Sequence, residues 1–336
     1  MAEAFLSLDA RERADILRTV AARSGRAAVI LEKDIWVCWV LQALFSMPDP
    51  HPMAFKGGTS LSKVYHIIDR FSEDVDVTLD YRAFNDGFDP FAEGASRNQI
   101  RLFSKRLKDR VAMYIRDVVA PALGAAADGL ATDGQHDIRI GDDRETIRFA
   151  YPSVVEGPRG YVRSEVRLEF GGRNVIDPNE QHTIVPDMAA LTHGLDYPAA
   201  SVTVLSPVRT FWEKATLVHV ECHRRRLTDH PERLSRHWFD LTRLAAHDMG
   251  RAALADRELL ADVVRHKKVF FDAAYANYDR CLDGRLRLVP DDDQLPALQA
   301  DYDAMRAAAI IADDAPEFAA LLERIRILEA DANGPR

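Results

Sequence analysis

The chain has 336 residues, 47% of them hydrophobic and 29% charged, with a formal net charge of −9. These proportions describe an ordinary globular protein, too long for one core to be the simplest expectation, and the acidic balance excludes nucleic-acid binding by overall charge while leaving room for a local basic patch. Three scattered cysteines, Cys38, Cys222 and Cys281, exclude a disulfide framework or a zinc knuckle and fit a reducing compartment. The start, MAEAFLSLDARERAD, carries charges of both signs where a secretory signal would be apolar. The apolar run 35–47 is shorter than the roughly 20 residues a bilayer requires. A cytoplasmic protein without membrane contact is expected.

In chain order, residues 9–24 and 27–47 read as two amphipathic helices. A short apolar strand, 53–55, leads into KGGTSLSK, a glycine pair followed by hydroxyls. A helix over 61–69 and an alternating strand over 75–79 follow, then a Gly-, Asp- and Phe-rich loop over 82–95. Ile100, Phe103, Leu107, Val111, Tyr114, Ile115 and Val118 recur at helical spacing, and Pro121 should end or kink that helix. Residues 124–143 read as a mobile loop. Strands return at 146–151, 161–170 and 202–205. Ser206 and Pro207 form a helix start, and helical patterns over 207–226, 234–248, 255–282, 291–310 and 315–330 fill the rest. The expected class is α/β (α+β): a mixed-sheet domain with N-terminal helices over 1–200, then an all-helical domain over 201–336.

The chemistry concentrates in RFSEDVDV, residues 70–77. Asp74 and Asp76 leave the same face of a strand, with Cα atoms roughly 6.5–7 Å apart. Two carboxylates so placed repel unless a cation lies between them, and oxygen-only ligands favour Mg²⁺ or Mn²⁺. Such ions serve phosphoryl or nucleotidyl transfer. Upstream, Gly57 and Gly58 allow a tight turn and close approach of a ligand, and Thr59 and Ser60 offer hydroxyls at a helix start. Lysine is rare, eight residues against 36 arginines, and Lys56 and Lys63 flank this turn. The Walker pattern G-x-x-x-x-G-K-[ST] is missing.

KGGTSLSK followed by RFSEDVDV resembles the AbiEii/AbiGii-type nucleotidyltransferase toxins of the DNA polymerase β-like superfamily, and ILEKDIWV (30–37), FWEKATLVH (211–219) and SRHWFDL (235–241) extend the resemblance over most of the chain. It implies that the glycine-serine turn, Lys56, Gly57, Gly58, Thr59 and Ser60, binds the triphosphate of an NTP. Asp74 and Asp76 would bind the metal, with Lys214 and Asp240 completing the site. It further implies an RNA acceptor, tRNA 3′ ends above all, and a toxin neutralised by a cognate antitoxin. The spacing from Ser60 to Asp74 is longer than in many members of the superfamily.

Several residues read independently of that resemblance. Lys214, in the second turn of its helix, could neutralise a β- or γ-phosphate across a cleft that the C-terminal helices close; otherwise it is a solvated lysine beside Glu213. Asp240 on the next helix either orients Lys214 or assists deprotonation, or pairs with Arg236 at i,i+4. Folds of the kind the resemblance implies commonly carry a third metal carboxylate, for which Glu169, with Glu165 as second choice, is the candidate on the polar face of its strand, and Lys33 and Asp34 are weaker candidates for the rim. Arg224, Arg225, Arg226 and Arg236 belong to a locally basic stretch able to hold an RNA backbone. His219 and His223 stand at i,i+4, but the H-E-x-x-H order is absent. The rival readings are a protein hydroxyl as acceptor, a non-catalytic nucleotide- or RNA-binding module, and a DxD glycosyltransferase. The last should show a larger nucleotide-binding domain before its DxD than the roughly 70 mostly helical residues found here.

Overall fold

A computed structural model describes residues 3–70, 72, 74–130, 135–155, 163–224, 227, 233–308, 310–311 and 315–334. They form two compact units. The first takes the described residues within 1–59, 73–87 and 105–204, the second those within 60–72, 88–104 and 205–336. Two internal segments, 60–72 and 88–104, thus belong with the C-terminal helices, where the sequence reading drew one boundary at 200.

The first unit is built on a seven-stranded mixed sheet. Its strands are β1 (Met53–Lys56), β2 (Asp74–Asp80), β3 (Asp137–Ile140), β4 (Thr146–Ala150), β5 (Glu165–Asn174), β6 (Asn179–Ile184) and β7 (Ala200–Leu205), ordered β3-β4-β5-β2-β1-β7-β6. β2 is central, antiparallel to β1 and parallel to β5. Its sequence dictates the placement: Val75, Val77 and Leu79 are buried, whereas Asp74 and Asp76 alternate onto a half-exposed face. β6 escaped the sequence reading because only Ile184 of its six residues is buried, leaving no apolar alternation to detect.

Helix α1 (Ala10–Ser24) opens with a reciprocal capping box between Asp9 and Glu12 and closes on Gly25 in the left-handed region. Helix α2 (Ala28–Phe45) departs from the amphipathic expectation, being buried almost all round. Trp36 stacks on Tyr151 at 5.2 Å and lies 5.9 Å from Phe149, while Trp39 stacks on Phe149 at 5.0 Å. The polar residues of α2 serve the fold. Buried Glu32 accepts hydrogen bonds from Ser153 Oγ (2.6 Å) and Val154 N (2.7 Å), Lys33 donates to the Arg163 carbonyl (3.2 Å), and Asp34 accepts from Asp187 N (2.7 Å).

A short helix α3 (Gly57–Lys63) starts on the glycine pair itself, earlier than the expected 61–69. Helix α4 (Arg97–Tyr114) ends in a π-helical segment, Ile115–Val119, and α5 (Ala120–Asp128) continues through Pro121. The expected break is averted because the proline falls in the first turn of α5, where its missing N–H is least needed. Residues 124–128 and 137–140 are therefore helix and strand, within the 124–143 region expected to be loop. Gly172 on β5 permits a close approach to α4: a Cβ there would lie 2.2 Å from Val111 Cγ2.

The second unit is helical: α6 (Pro207–Cys222), α7 (Arg236–Ala246), α8 (Asp248–Ala255), α9 (Arg257–Phe270), α10 (Asp279–Leu282), α11 (Leu295–Ala307) and α12 (Phe318–Asn333). Ser206 caps α6 by accepting from Val208 N, with Pro207 at its first position. The pattern read as one helix over 255–282 is interrupted; Asp256 caps a new start by accepting from Leu259 N at 2.9 Å, and residues 271–278 are irregular. Trp212 and Trp238 are buried, their indole N–H groups donating to the carbonyls of Ala253 (3.0 Å) and Leu288 (2.9 Å). Segment 60–72 joins this unit through the ion pairs Asp69–Arg243 (2.6 Å) and Arg70–Asp240 (2.7 Å) and a β-bridge from Arg70 to Ile311. Segment 88–104 joins it through Phe91 and Phe103, packed against Phe270. Among the described residues, no helix is long and apolar enough to cross a membrane.

Trp36→Ala should destabilise the protein by about 3–5 kcal/mol in urea melts, the usual penalty for emptying an aromatic site in a packed core. A loss below about 1 kcal/mol would mean that α2 does not depend on this stack.

Candidate active site

The carboxylate strand and the glycine turn meet in the first unit. Asp76 stands opposite Lys56 on β1 and opposite Glu169 on β5, while Asp74 stands opposite Arg167. Lys56, Asp74, Asp76 and Glu169 are all half-buried. Gly57 follows Lys56 with φ +82°, and a Cβ built on it would lie 2.1 Å from Asp76 Oδ2. Both the backbone angle and the carboxylate therefore demand glycine. Thr59 Oγ1 donates to the Asp74 carbonyl at 2.5 Å, tying the turn to β2 from the other side. Gly58, Thr59 and Ser60 are buried, so Lys56 and Gly57 are the partly accessible members of the turn.

Asp74 and Asp76 fit a hard divalent cation by donor type and by their shared face. The missing Cβ at position 57 lets the Asp76 carboxylate lie against the turn. Glu169 adjoins the pair in register and forms an ion pair with Arg167 at 2.8 Å. Glu165, the second choice, pairs with Arg148 at 2.7 Å. Among the described residues no cluster of three or more His, Cys, Asp or Glu side chains is arranged to hold a metal. A two-carboxylate site completed by substrate phosphates is a usual arrangement for Mg²⁺.

Lys214 and Asp240 come together in the second unit. Lys214 Nζ lies 2.9 Å from Asp240 Oδ2, so this lysine, with a side chain 10% exposed, is not solvated beside Glu213. Glu213 pairs instead with Arg209 at 3.3 Å. Asp240 is fully buried, and its partners are Lys214 and Arg70. Burial alone would raise the Asp240 pKa, but the two cations overcome it and hold the carboxyl well below the usual carboxylate range. Asp240 is therefore ionised at neutral pH and unsuited to accept a proton, which favours the orienting role over the deprotonating one. Burial pushes the Lys214 ammonium down and Asp240 opposes this, while Arg70 and Arg236 add repulsion. His237, beside this group, is kept neutral by burial and by Lys214 and Arg236, and its Nδ1 has no hydrogen-bond partner among the described residues. Arg70 was missed as a site residue. Its signal was its place at the head of RFSEDVDV, but its partner lies 170 positions away.

Of the expected RNA contacts, Arg225 and Arg226 lie outside the described residues. Arg224 pairs with Glu221 at 3.1 Å and lies over the Tyr275 ring; Arg236 is half-buried. Two further basic residues of that stretch, Arg209 and Lys214, are buried. A denser exposed set lies on α4, where Arg97, Arg101, Lys105 and Lys108 recur at helical spacing. The His219–His223 pair is structural: His219 Nδ1 accepts from Arg287 N at 2.9 Å, and Nε2 meets the Asn277 carbonyl at 3.2 Å. Both ring nitrogens are engaged, and burial lowers the His219 pKa to about 4.

A paired-carboxylate strand locked to a glycine turn has the donor chemistry that a transferase of phosphorus-containing groups can use. Residues 39–324 match the family described as nucleotidyl transferase AbiEii toxin, type IV toxin–antitoxin system, and the chain belongs to that family. It is accordingly a nucleotidyltransferase toxin, and its family implies a nucleotide substrate and an antitoxin partner. No curated protein matches the sequence. Among solved structures, MenT4, a nucleotidyltransferase toxin from Mycobacterium tuberculosis H37Rv, is similar at 17% identity and a TM-score of 0.47, over 95% of this chain and 90% of that one.

Gly57→Ala should weaken Mn²⁺ binding measured by calorimetry at least tenfold, because its Cβ must displace the Asp76 carboxylate; unchanged binding would separate the turn from the metal site. Asp240→Asn should cost about 3–5 kcal/mol at pH 7, since it leaves two buried cations without their anion. Because the folded-state pKa of Asp240 is depressed, its contribution is complete above the unfolded value of about 3.9 and is lost as pH falls toward the folded one. Denaturant melts from pH 7 to pH 3 should therefore show the gap between wild type and Asp240→Asn narrowing below about pH 4; a constant gap would refute the ion-pair assignment.

Proposed function

We propose that the protein transfers NMP from an NTP to the hydroxyl of an RNA acceptor, a tRNA 3′ end above all, as a cytoplasmic toxin. The observation that carries this reading is the Asp74–Asp76 pair set against Gly57, two carboxylates on one strand face beside a side-chain-free turn. Asp74 and Asp76 would hold Mg²⁺ or Mn²⁺, with Glu169 as the third carboxylate after leaving Arg167. When bound, the metal would supply charge neutralisation at the phosphates and activation of the attacking oxygen. Lys56 and the Gly57 backbone face the triphosphate, and Gly58, Thr59 and Ser60 shape the turn beneath it. Lys214, held 2.9 Å from Asp240 Oδ2, neutralises the charge that grows on the departing pyrophosphate. Asp240 orients Lys214 and takes no proton itself.

The exposed row on α4 suits an RNA backbone in a chain otherwise acidic, and Arg224, Arg225, Arg226 and Arg236 remain candidates from the sequence for further contacts. A protein hydroxyl as acceptor, or loss of turnover with retained nucleotide binding, would leave that row without a role.

Purified protein incubated with each α-labelled NTP, Mg²⁺ and total tRNA should label the RNA with at least one nucleotide, and Asp76→Ala should abolish labelling at an unchanged melting temperature. Label on protein alone would transfer the reading to a protein acceptor, and no label with any NTP would overturn it. Arg97→Glu with Arg101→Glu should weaken tRNA binding roughly tenfold or more and flatten its salt dependence, leaving NTP binding intact.

A further inference from the structure

Arg70 opens the RFSEDVDV run and has no part in the family-derived reading of the site. Its guanidinium forks onto Asp240, with Nε 2.7 Å from Oδ1 and Nη2 2.9 Å from Oδ2. Both side chains are buried, Arg70 at 4% exposure and Asp240 at 0%. Lys214 Nζ shares Oδ2 at 2.9 Å. One carboxylate thus receives three donors from two cations, and the planar fork fixes the plane in which its oxygens lie.

Neutralising Lys214 does not require this. Asp240 alone would be a sufficient counter-ion, and Arg70 repels the ammonium, as does Arg236; His237, uncharged, stands beside them. Nor is stability a sufficient reason, because apolar replacements of a buried ion cluster are often neutral or better. What the fork adds is orientation: without it the carboxylate turns about its Cβ–Cγ bond, and the Lys214 ammonium, bound to one of its oxygens, moves with it. We propose that Arg70 is a positioning residue, fixing the Asp240 carboxylate so that Oδ2 holds the Lys214 ammonium at one place. The consequence for catalysis rests on the role proposed for Lys214 above. An ammonium that acts on charge developing in the transition state loses rate, and not substrate affinity, when displaced.

The test uses the full chain labelled with ¹³C at lysine Cε. There are eight lysines, and the Lys214 signal is assigned with Lys214→Arg. Arg70→Lys keeps the charge and removes the fork, whereas Arg70→Met removes both. In each variant the Lys214 signal should be displaced or broadened at pH 7, and kcat for nucleotidyl transfer should fall about ten- to a hundredfold with KM for the NTP within about twofold. The Lys214 titration midpoint should rise in Arg70→Met, which loses a repelling charge, and stay in place in Arg70→Lys. If Arg70→Met fails to fold, Arg70→Lys carries the test. A wild-type Lys214 signal, or a wild-type kcat, in Arg70→Lys would overturn the proposal. A displaced signal in a protein whose wild type transfers no label would uphold the positioning role and remove the transferase reading.

Discussion

The absence of a side chain at position 57 is the constraint on which the site depends. β1 delivers the chain to Gly57 beside the central strand, and the Asp76 carboxylate fills the place a Cβ would take. Thr59 then binds the Asp74 carbonyl, so two successive features of the turn grip two successive features of the strand. The buried Val75, Val77 and Leu79 fix the opposite face of β2 in the core of the first unit, and Asp74 and Asp76 have no other face to occupy. Local chemistry and global packing make the same demand on the same residues, as a sequence that specifies one structure requires.

The second unit solves a different problem, that of pairing a mostly buried lysine with a carboxylate. Desolvation lowers the affinity of Lys214 for its proton, and a single carboxylate, itself buried, opposes that loss without cancelling it. Holding Asp240 ionised in turn requires cations, and Arg70 supplies the geometry along with the charge. A transferase of phosphorus-containing groups gains from such an arrangement, because an ammonium with little water around it acts strongly on a phosphate and needs no reorganisation when charge develops.

Much of this was legible from the residues alone. The alternation of β2 and β5, the Ser206–Pro207 helix start and the pairing of Asp74 with Asp76 depend on neighbours along the chain, and periodicity reports them. β6 was not legible because its burial is confined to Ile184, and the path through Pro121 was not because the proline falls in the first turn of a helix that directly follows the π segment. The Glu32, Lys33 and Asp34 bonds were hidden for another reason: their partners, Val154, Arg163 and Asp187, lie more than 100 positions away. The same separation concealed Arg70. Its charge was visible and its partner was not, so the one arginine weighed as an alternative partner for Asp240 was Arg236 on its own helix. Lys214 and Asp240 were themselves singled out, but their direct ion pair is a tertiary fact.

The central claim is that Asp74 and Asp76 bind a divalent ion that the nucleotide completes. The direct measurement is Mn²⁺ binding followed by electron paramagnetic resonance, with and without a non-hydrolysable NTP, in wild type, Asp74→Asn and Asp76→Asn. The account predicts weak binding without nucleotide, marked tightening with it, and loss of that tightening in both variants. Equal Mn²⁺ affinity in wild type and Asp76→Asn, with nucleotide present, would contradict it.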